Sequence, residues 1–450
     1  MTKEPIISVS GLRGVIGESL DPILAMRFVV AFASGLEEGP ILVTRDGRTT
    51  GSMLADAVCS ALSAMGREVL DGSVAATPTA GVLVRRRKCA GGVQISASHN
   101  PPEYNGLKLF GPDGRVISAS AGERVIQRFR NTDHLPWTEY GKIGQRTICE
   151  NTTDEHLQLV LATVDVGNIR NRKFKVVLDS NRGSGSILGS KLLSELGCQV
   201  TLLGGQPDGQ FEHPAEPTAA NLAGVAKQIR DLRVDVGFCQ DPDADRLAII
   251  DELGNYIGEE YTLAIALDHA LSQNSGPVVI NCATSRMSID IAERNGVECL
   301  QSAVGEANVT DEMIRIGAVY GGEGNGGPID PRVGYVRDSF VAMAQTLDAM
   351  AAQKETINQL VNKFPIYGMH KATLAMDRER IPAAFEALEA EFDDATANRL
   401  DGLRLDWPDR WLLVRGSNTE PIVRTIAEAP TAEAARELCQ RAANIISKIV

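Results

Sequence analysis

Three stretches of the chain share one grammar, and this repetition restricts the possible folds more than any other feature. Ile41-Leu42-Val43 runs into Thr44-Arg45-Asp46-Gly47-Arg48, then into an apolar-periodic segment closing at Met65-Gly66. Lys175-Val176-Val177-Leu178 runs into Asp179-Ser180-Asn181-Arg182-Gly183, then into a second such segment closing at Leu196-Gly197. Pro277-Val278-Val279-Ile280 runs into Asn281-Cys282-Ala283-Thr284-Ser285, then into a third closing at Asn295-Gly296. Each stretch predicts a β-branched strand, a polar turn, a helix ended by glycine, and a further strand-like run. Strands alternating with helices fold as α/β layers. The expectation is three similar α/β domains in series, with mixed sheets.

The remainder of the chain breaks the pattern. Helical spacing over 381–392 precedes Leu403-Arg404-Leu405, a turn at Trp407-Pro408-Asp409, the run Trp411-Leu412-Leu413-Val414, and a helix over 431–449. That order predicts an α+β fourth domain with an antiparallel sheet. A chain of 450 residues is too long for one hydrophobic core and is expected to divide in this way. The expected domains are 1–150, 151–254, 255–365 and 366–450, arranged around a central cleft.

Net charge is −13, which argues against a general nucleic-acid or anionic-membrane surface. The dense basic run Arg85-Arg86-Arg87-Lys88 reads as a solvated helix end. An anionic substrate must therefore meet local positive charge inside a cleft. The eight cysteines are scattered without a Cys-x-x-Cys pair, as suits reduced thiols better than disulfides or zinc. Met1-Thr2-Lys3-Glu4-Pro5 carries no apolar signal core, and no long apolar run follows. A cytoplasmic protein, bound to neither membrane nor nucleic acid, is expected.

Four loops carry candidate chemistry. Val93 and Ile95 lead into Ser96-Ala97-Ser98-His99-Asn100-Pro101-Pro102, where the prolines exclude a helix interior or central strand. Ser98 is thus presented at a strand end, as a phosphoryl or acyl carrier would be. Asp241, Asp243 and Asp245 alternate between two apolar strands, next to Arg246. Three carboxylates so close repel unless a cation lies among them, and oxygen-only ligands suit Mg²⁺. An EF-hand calcium loop is a poor match, since its obligatory glycine is Arg246 and its flanks read as strands. A solvated acidic turn without metal is the other alternative. Gly321-Gly322-Glu323-Gly324-Asn325-Gly326-Gly327 allows close backbone approach, with Glu323 and Asn325 able to bind sugar hydroxyls. Arg415-Gly416-Ser417-Asn418-Thr419-Glu420-Pro421, followed by Arg424, holds the guanidinium, hydroxyl and amide groups of a phosphate clamp.

Taken in order, these loops resemble those of the α-D-phosphohexomutase family. Ser10-Gly11-Leu12-Arg13-Gly14 and Asn105-Gly106-Leu107-Lys108 extend the resemblance, which spans residues 10 to 429. It implies four domains around a cleft and an intramolecular phosphotransferase. In such an enzyme Ser98, as phosphoserine, would exchange a phosphoryl group with a hexose monophosphate through a bound 1,6-bisphosphate. One Mg²⁺ per chain would be held by Ser98, Asp241, Asp243 and Asp245. Arg13, Lys108 and Arg246 would stabilise the transferred charge, and Lys108 and His99 would move the hydroxyl proton. Ser417, Asn418 and Thr419 with Arg415 and Arg424 would bind the unreacting phosphate. A hexose 1,6-bisphosphate activator and a monomer or homodimer are further implied.

The sugar loop departs from the family's common Glu-x-Ser-Gly-His pattern, because Asn325 and Gly327 stand where a hydroxyl and an imidazole are usual. That variant and the Ser96–Pro101 stretch are similar to the phosphoglucosamine mutase branch, which implies glucosamine 6-phosphate as substrate. Phosphomannomutase/phosphoglucomutase activity is the alternative. A non-catalytic phosphosugar-binding relative would need a decayed site, yet Ser98, Lys108 and all three aspartates are present. A serine hydrolase built on Ser98 and His99 would leave the acidic loop without purpose.

Overall fold

The computed structural model describes residues 5–8, 11–131, 135–416 and 421–449. Each of the three repeats begins as its sequence predicts. The strands Ile41–Arg45, Lys175–Asp179 and Val278–Asn281 lead into the helices Gly51–Ala64, Gly185–Glu195 and Met287–Arg294. Gly66, Gly197 and Gly296 then take the left-handed conformation that ends a helix, with φ of 80°, 74° and 67°. The chain returns as Val69–Val74, Gln199–Leu203 and Cys299–Ser302, each parallel to its first strand.

A third strand then pairs parallel on the other side of the first strand: Gly91–Ile95, Val236–Gln240 or Tyr320–Glu323. A fourth turns back antiparallel to it: Tyr104–Phe110, Leu247–Ile250 or Gly327–Ile329. The sheets are thus mixed, as expected. The first domain extends its sheet to seven strands with Ile6–Ser8, Gly11–Val15 and Arg146–Ile148. The consequence for function is topological. Ser98, the three aspartates and the Gly324–Gly326 turn all lie on the connection between third and fourth strand of their own domain. Each connection bends through one left-handed residue, Ser98 at φ 50°, Ala244 at 57° or Gly326 at 83°.

The C-terminal sheet is wholly antiparallel, in the order Gly368–Ala375, Ile422–Ala429, Trp411–Gly416, Leu403–Asp406, Thr396–Asn398. Helices Ile381–Glu391 and Ala432–Ile446 cover it, and their apolar faces form a separate core around Phe385, Leu388, Leu405 and Leu438.

The second and third domains, by contrast, share one core. Its centre is the helix Ser339–Gln353, with 13 of 15 residues buried. A helix apolar on all sides has to be enclosed. Burial of Phe340, Met343, Leu347 and Met350 contributes about 1.5–3 kcal/mol each. Most of its polar side chains are paired: Gln345 donates to Asp330 at 2.8 Å, Ser339 Oγ donates to the Ala244 carbonyl at 2.7 Å and Asp348 pairs with His269 at 2.9 Å, while Thr346 Oγ1 is left without a partner. Asp338 caps the helix by accepting from the Phe340 and Val341 amides. It also meets the buried His156 at 2.7 Å, whose other ring nitrogen lies 2.9 Å from Thr79 of the first domain. Among the described residues no helix is long and apolar enough to cross a membrane.

Candidate active site

Ser98 is positioned by a buried arginine. Arg48, from the first polar turn of the repeat, donates to the carbonyls of Ser98 (2.7 Å), Asn100 (2.6 Å), Pro101 (2.6 Å) and Tyr104 (2.9 Å). Its Nε faces Asp46 at 3.2 Å, and Asp46 accepts from Ser96 Oγ at 2.7 Å. Ser96 Oγ in turn accepts from the Ser98 amide at 2.8 Å. The loop has no ladder partner, so this arginine supplies the donors that hold its backbone turned.

The Ser98 hydroxyl donates to Asp241 Oδ2 at 3.1 Å, which joins the first functional loop to the second. Asp241, Asp243 and Asp245 are fully buried, and their oxygens converge to within 4.8 Å. Asp243 accepts from Thr77 Oγ1 at 2.6 Å, and Lys108 Nζ reaches Asp243 at 3.3 Å and Asp245 at 2.9 Å. Asp243 Oδ1 and Asp245 Oδ1 nevertheless have no hydrogen-bond partner. Two orphaned carboxylate oxygens beside a third carboxylate form a donor set that fits a hard divalent cation. The EF-hand alternative fails on geometry, since the loop is flanked by strands and Glu252 instead accepts from the Asn358 amide.

Charge distribution follows from these contacts. Burial, then Asp243 and Asp245, pushes the Asp241 carboxyl well up. For Asp245 burial acts upward too, but Arg337, Lys108 and Arg246 outweigh it and hold the carboxylate below its usual range. Burial opposes the Lys108 charge, and Asp243 and Asp245 more than restore it, raising its pKa. Lys108 is therefore an ammonium here. His99 is the opposite case: burial, with Arg246 and Arg13 nearby, pushes it down to about 3, so its ring is neutral. Its Nδ1 lies 3.4 Å from Ser98 Oγ. Arg13 donates to Asn100 Oδ1 at 3.3 Å, and Arg246 Nε lies 3.9 Å from Asp245 with no hydrogen-bond partner.

The third loop joins through Arg337, which the sequence reading passed over. Its guanidinium donates to Asp245 Oδ2 at 2.6 Å and to Glu323 Oε2 at 2.7 Å, and lies 3.5 Å from Glu306. A charged Arg-Asp pair immediately before an apolar helical run was the available signal. Glu323 also accepts from Asn281 at 2.8 Å and the Gly305 amide at 3.1 Å.

Glu323, Asn325 and Arg424 line one cleft of about 280 Å³ between the third and fourth domains, with Glu260 and Lys371. Arg415 is opposite Arg424 in the sheet but pairs with Asp401 at 3.2 Å and is not in that lining. Ser10, Ser417, Asn418 and Thr419 lie outside the described residues. A second cleft, about 620 Å³, opens beside the Ser98 loop between His99–Pro102 and Phe211–Glu216.

Four family models, in chain order, match this arrangement: phosphoglucomutase/phosphomannomutase alpha/beta/alpha domains I, II and III at residues 5–135, 154–254 and 258–367, and the C-terminal domain at 373–445. The chain belongs to the phosphoglucomutase/phosphomannomutase family. A relative from Thermococcus kodakarensis named phosphoglucomutase/phosphomannomutase is 34% identical over 95% of both chains. A probable phosphoglucosamine mutase from Thermococcus gammatolerans is 32% identical over 98% of both. The crystal structure of a family protein from Burkholderia thailandensis superposes with a TM-score of 0.86 at 26% identity, covering 98% of this chain and 97% of the other. Fold and sequence thus agree on a phosphohexomutase family.

Proposed function

We propose that this protein interconverts glucosamine 6-phosphate and glucosamine 1-phosphate through phosphoserine at Ser98. The observation that carries the reading is the 3.1 Å contact between Ser98 Oγ and Asp241 inside a convergent, partly orphaned carboxylate cluster. Mg²⁺ held by Ser98, Asp241, Asp243 and Asp245 would supply charge neutralisation for the phosphoryl oxygens.

The rest falls to the chain's own groups. In the first transfer the Ser98 Oγ–P bond breaks and a new P–O bond forms to the free sugar hydroxyl, giving a hexose 1,6-bisphosphate. The sugar hydroxyl's proton passes to solvent or to the phosphoryl oxygens as the new P–O bond forms, and His99, 3.4 Å from Ser98 Oγ and held neutral, adds no charge beside the transferred group. Lys108, held as a cation, and Arg13 and Arg246 stabilise the developing charge. The bisphosphate then turns over in the cleft and returns its other phosphate to Ser98. Arg424 would hold the phosphate that is not reacting, a role expected also of Arg415 and of Ser417, Asn418 and Thr419, the last three of which lie outside the described residues; Glu323 would hold sugar hydroxyls, and Asn325 would face the sugar ring beside it.

Glucosamine is favoured by the sugar-loop variant and by relatives such as the probable phosphoglucosamine mutase of T. gammatolerans. A phosphoglucomutase/phosphomannomutase reading is favoured by the 34% identical T. kodakarensis relative. Purified protein with Mg²⁺ and a trace of hexose 1,6-bisphosphate, followed by ³¹P NMR, separates them. Glucosamine 6-phosphate should yield a 1-phosphate signal fastest, and Ser98→Ala should abolish it. Faster turnover of glucose or mannose 6-phosphate would replace the glucosamine assignment, and no turnover of any of the three would overturn the mutase reading.

A further inference from the structure

The cleft between the sugar loop and the C-terminal domain contains two carboxylates whose situations differ. Glu323 is compensated: Arg337, Asn281 and the Gly305 amide all donate to it. Glu260 is less so. On the first turn of the helix Glu259–Gln273, its Oε2 accepts from the Ser285 amide at 3.0 Å, Lys371 acts on it without a direct contact, and among the described residues no arginine pairs with it. The ammonium in the lining, Lys371, is committed to Glu259 at 2.7 Å. Burial pushes the Glu260 carboxyl well up, with Glu259 and Glu428 adding to the effect, and the Ser285 amide and Lys371 pull it down without offsetting it. Such a group gains most from a cation brought to it.

Glu260 also lies directly against the sugar loop. A Cβ on Gly324 would collide with both of its carboxylate oxygens. The next residue, Asn325, lines the same cleft and has a buried Oδ1 with no donor. The wall therefore offers two acceptors in one lining, Asn325 Oδ1 with no donor and Glu260 able to carry negative charge. A hydroxyl provides one hydrogen to such a pair, whereas an ammonium provides three and the countercharge.

We propose that Glu260 and Asn325 form the acceptor pair that binds the ammonium group of an amino-sugar phosphate and so set the preference for glucosamine over glucose. The inference rests on the mutase reading above. Glu260 has no part in the phosphoryl transfer itself, and Gly324 is small so that this carboxylate can approach the loop.

The test compares kcat/KM for glucosamine 6-phosphate and glucose 6-phosphate in wild type, Glu260→Gln and Gly324→Ala. Glu260→Gln keeps the shape and removes the charge, so the glucosamine-to-glucose ratio should fall by about tenfold or more. Gly324→Ala displaces the same carboxylate from the side of the loop and should lower the ratio in the same direction, so the test survives if either variant fails to fold. Ratios within about twofold of wild type in the folded variants, whatever the absolute rates, overturn the assignment. Wild-type protein that turns over neither sugar overturns this inference before any variant is made, and the mutase reading falls with it only if mannose 6-phosphate is not turned over either.

Discussion

At the scale of single residues, the site depends on two buried arginines that do different work. Arg48 makes no contact with the acidic cluster. It fixes four carbonyls of the Ser98 loop at once, which a lysine cannot do because its single nitrogen lacks the planar fork. Arg48→Lys should therefore lower kcat by about a hundredfold through misplacement of Ser98 while KM for the hexose phosphate changes little. Steady-state kinetics of the variant checks this, and a rise in KM with unchanged kcat would contradict it. Arg337 compensates Asp245, Glu323 and Glu306 in one buried network. Arg337→Met leaves these carboxylates facing one another without countercharge, and a loss of about 3–5 kcal/mol is expected in urea unfolding. Neither arginine stood out in the sequence. Arg48 was one polar residue of a repeat turn, and Arg337 lies about 90 residues from its partner Asp245, separations that only folding closes.

At the scale of elements, strand–turn–helix units were legible because their periodicity and terminal glycines are local properties. The three functional loops were legible as well, each from an unusual residue cluster. Their equivalence was not. Ser98, the aspartates and the Glu323–Gly327 turn share one topological position because each domain closes its sheet with the same antiparallel fourth strand. The eight-residue strand Gly368–Ala375 and the short Thr396–Asn398 were also missed, since pairing with neighbours defines them. The acidic loop leads to a further expectation. Mg²⁺ at about 100 times its Kd should stabilise the protein by about 2.7 kcal/mol, read as a rise in Tm that a chelator reverses. Asp243→Asn should remove most of that rise. An undiminished Mg²⁺ response in Asp243→Asn would show that the ion binds elsewhere.

At the scale of the whole molecule, domains II and III are joined through the buried helix Ser339–Gln353, whereas the C-terminal domain keeps its own core. Its apolar contact with domain III centres on Cys282, Trp411 and Leu413, supported by the Arg286 amide donating to Glu428 at 2.9 Å and the Val304 amide donating to Asp401 at 2.9 Å. Two of the three tryptophans, Trp407 and Trp411, are buried in or beneath that domain, while Trp137 is 47% exposed. Tryptophan fluorescence should therefore report a transition at lower denaturant than far-UV circular dichroism does. Coincident transitions would show instead that all four domains unfold together. An interface without a shared core suits a domain whose Arg424 is proposed to meet substrate across the cleft. The amino-acid order by itself determined the α/β repeats, the different fourth domain and the chemistry of each loop, because periodicity, turn residues and side-chain type are local. Tertiary structure alone decided which side chains share a charge, which carboxylates have partners and which are left open. Those depend on distances between residues far apart in the chain, and burial decides how strongly each charge is felt.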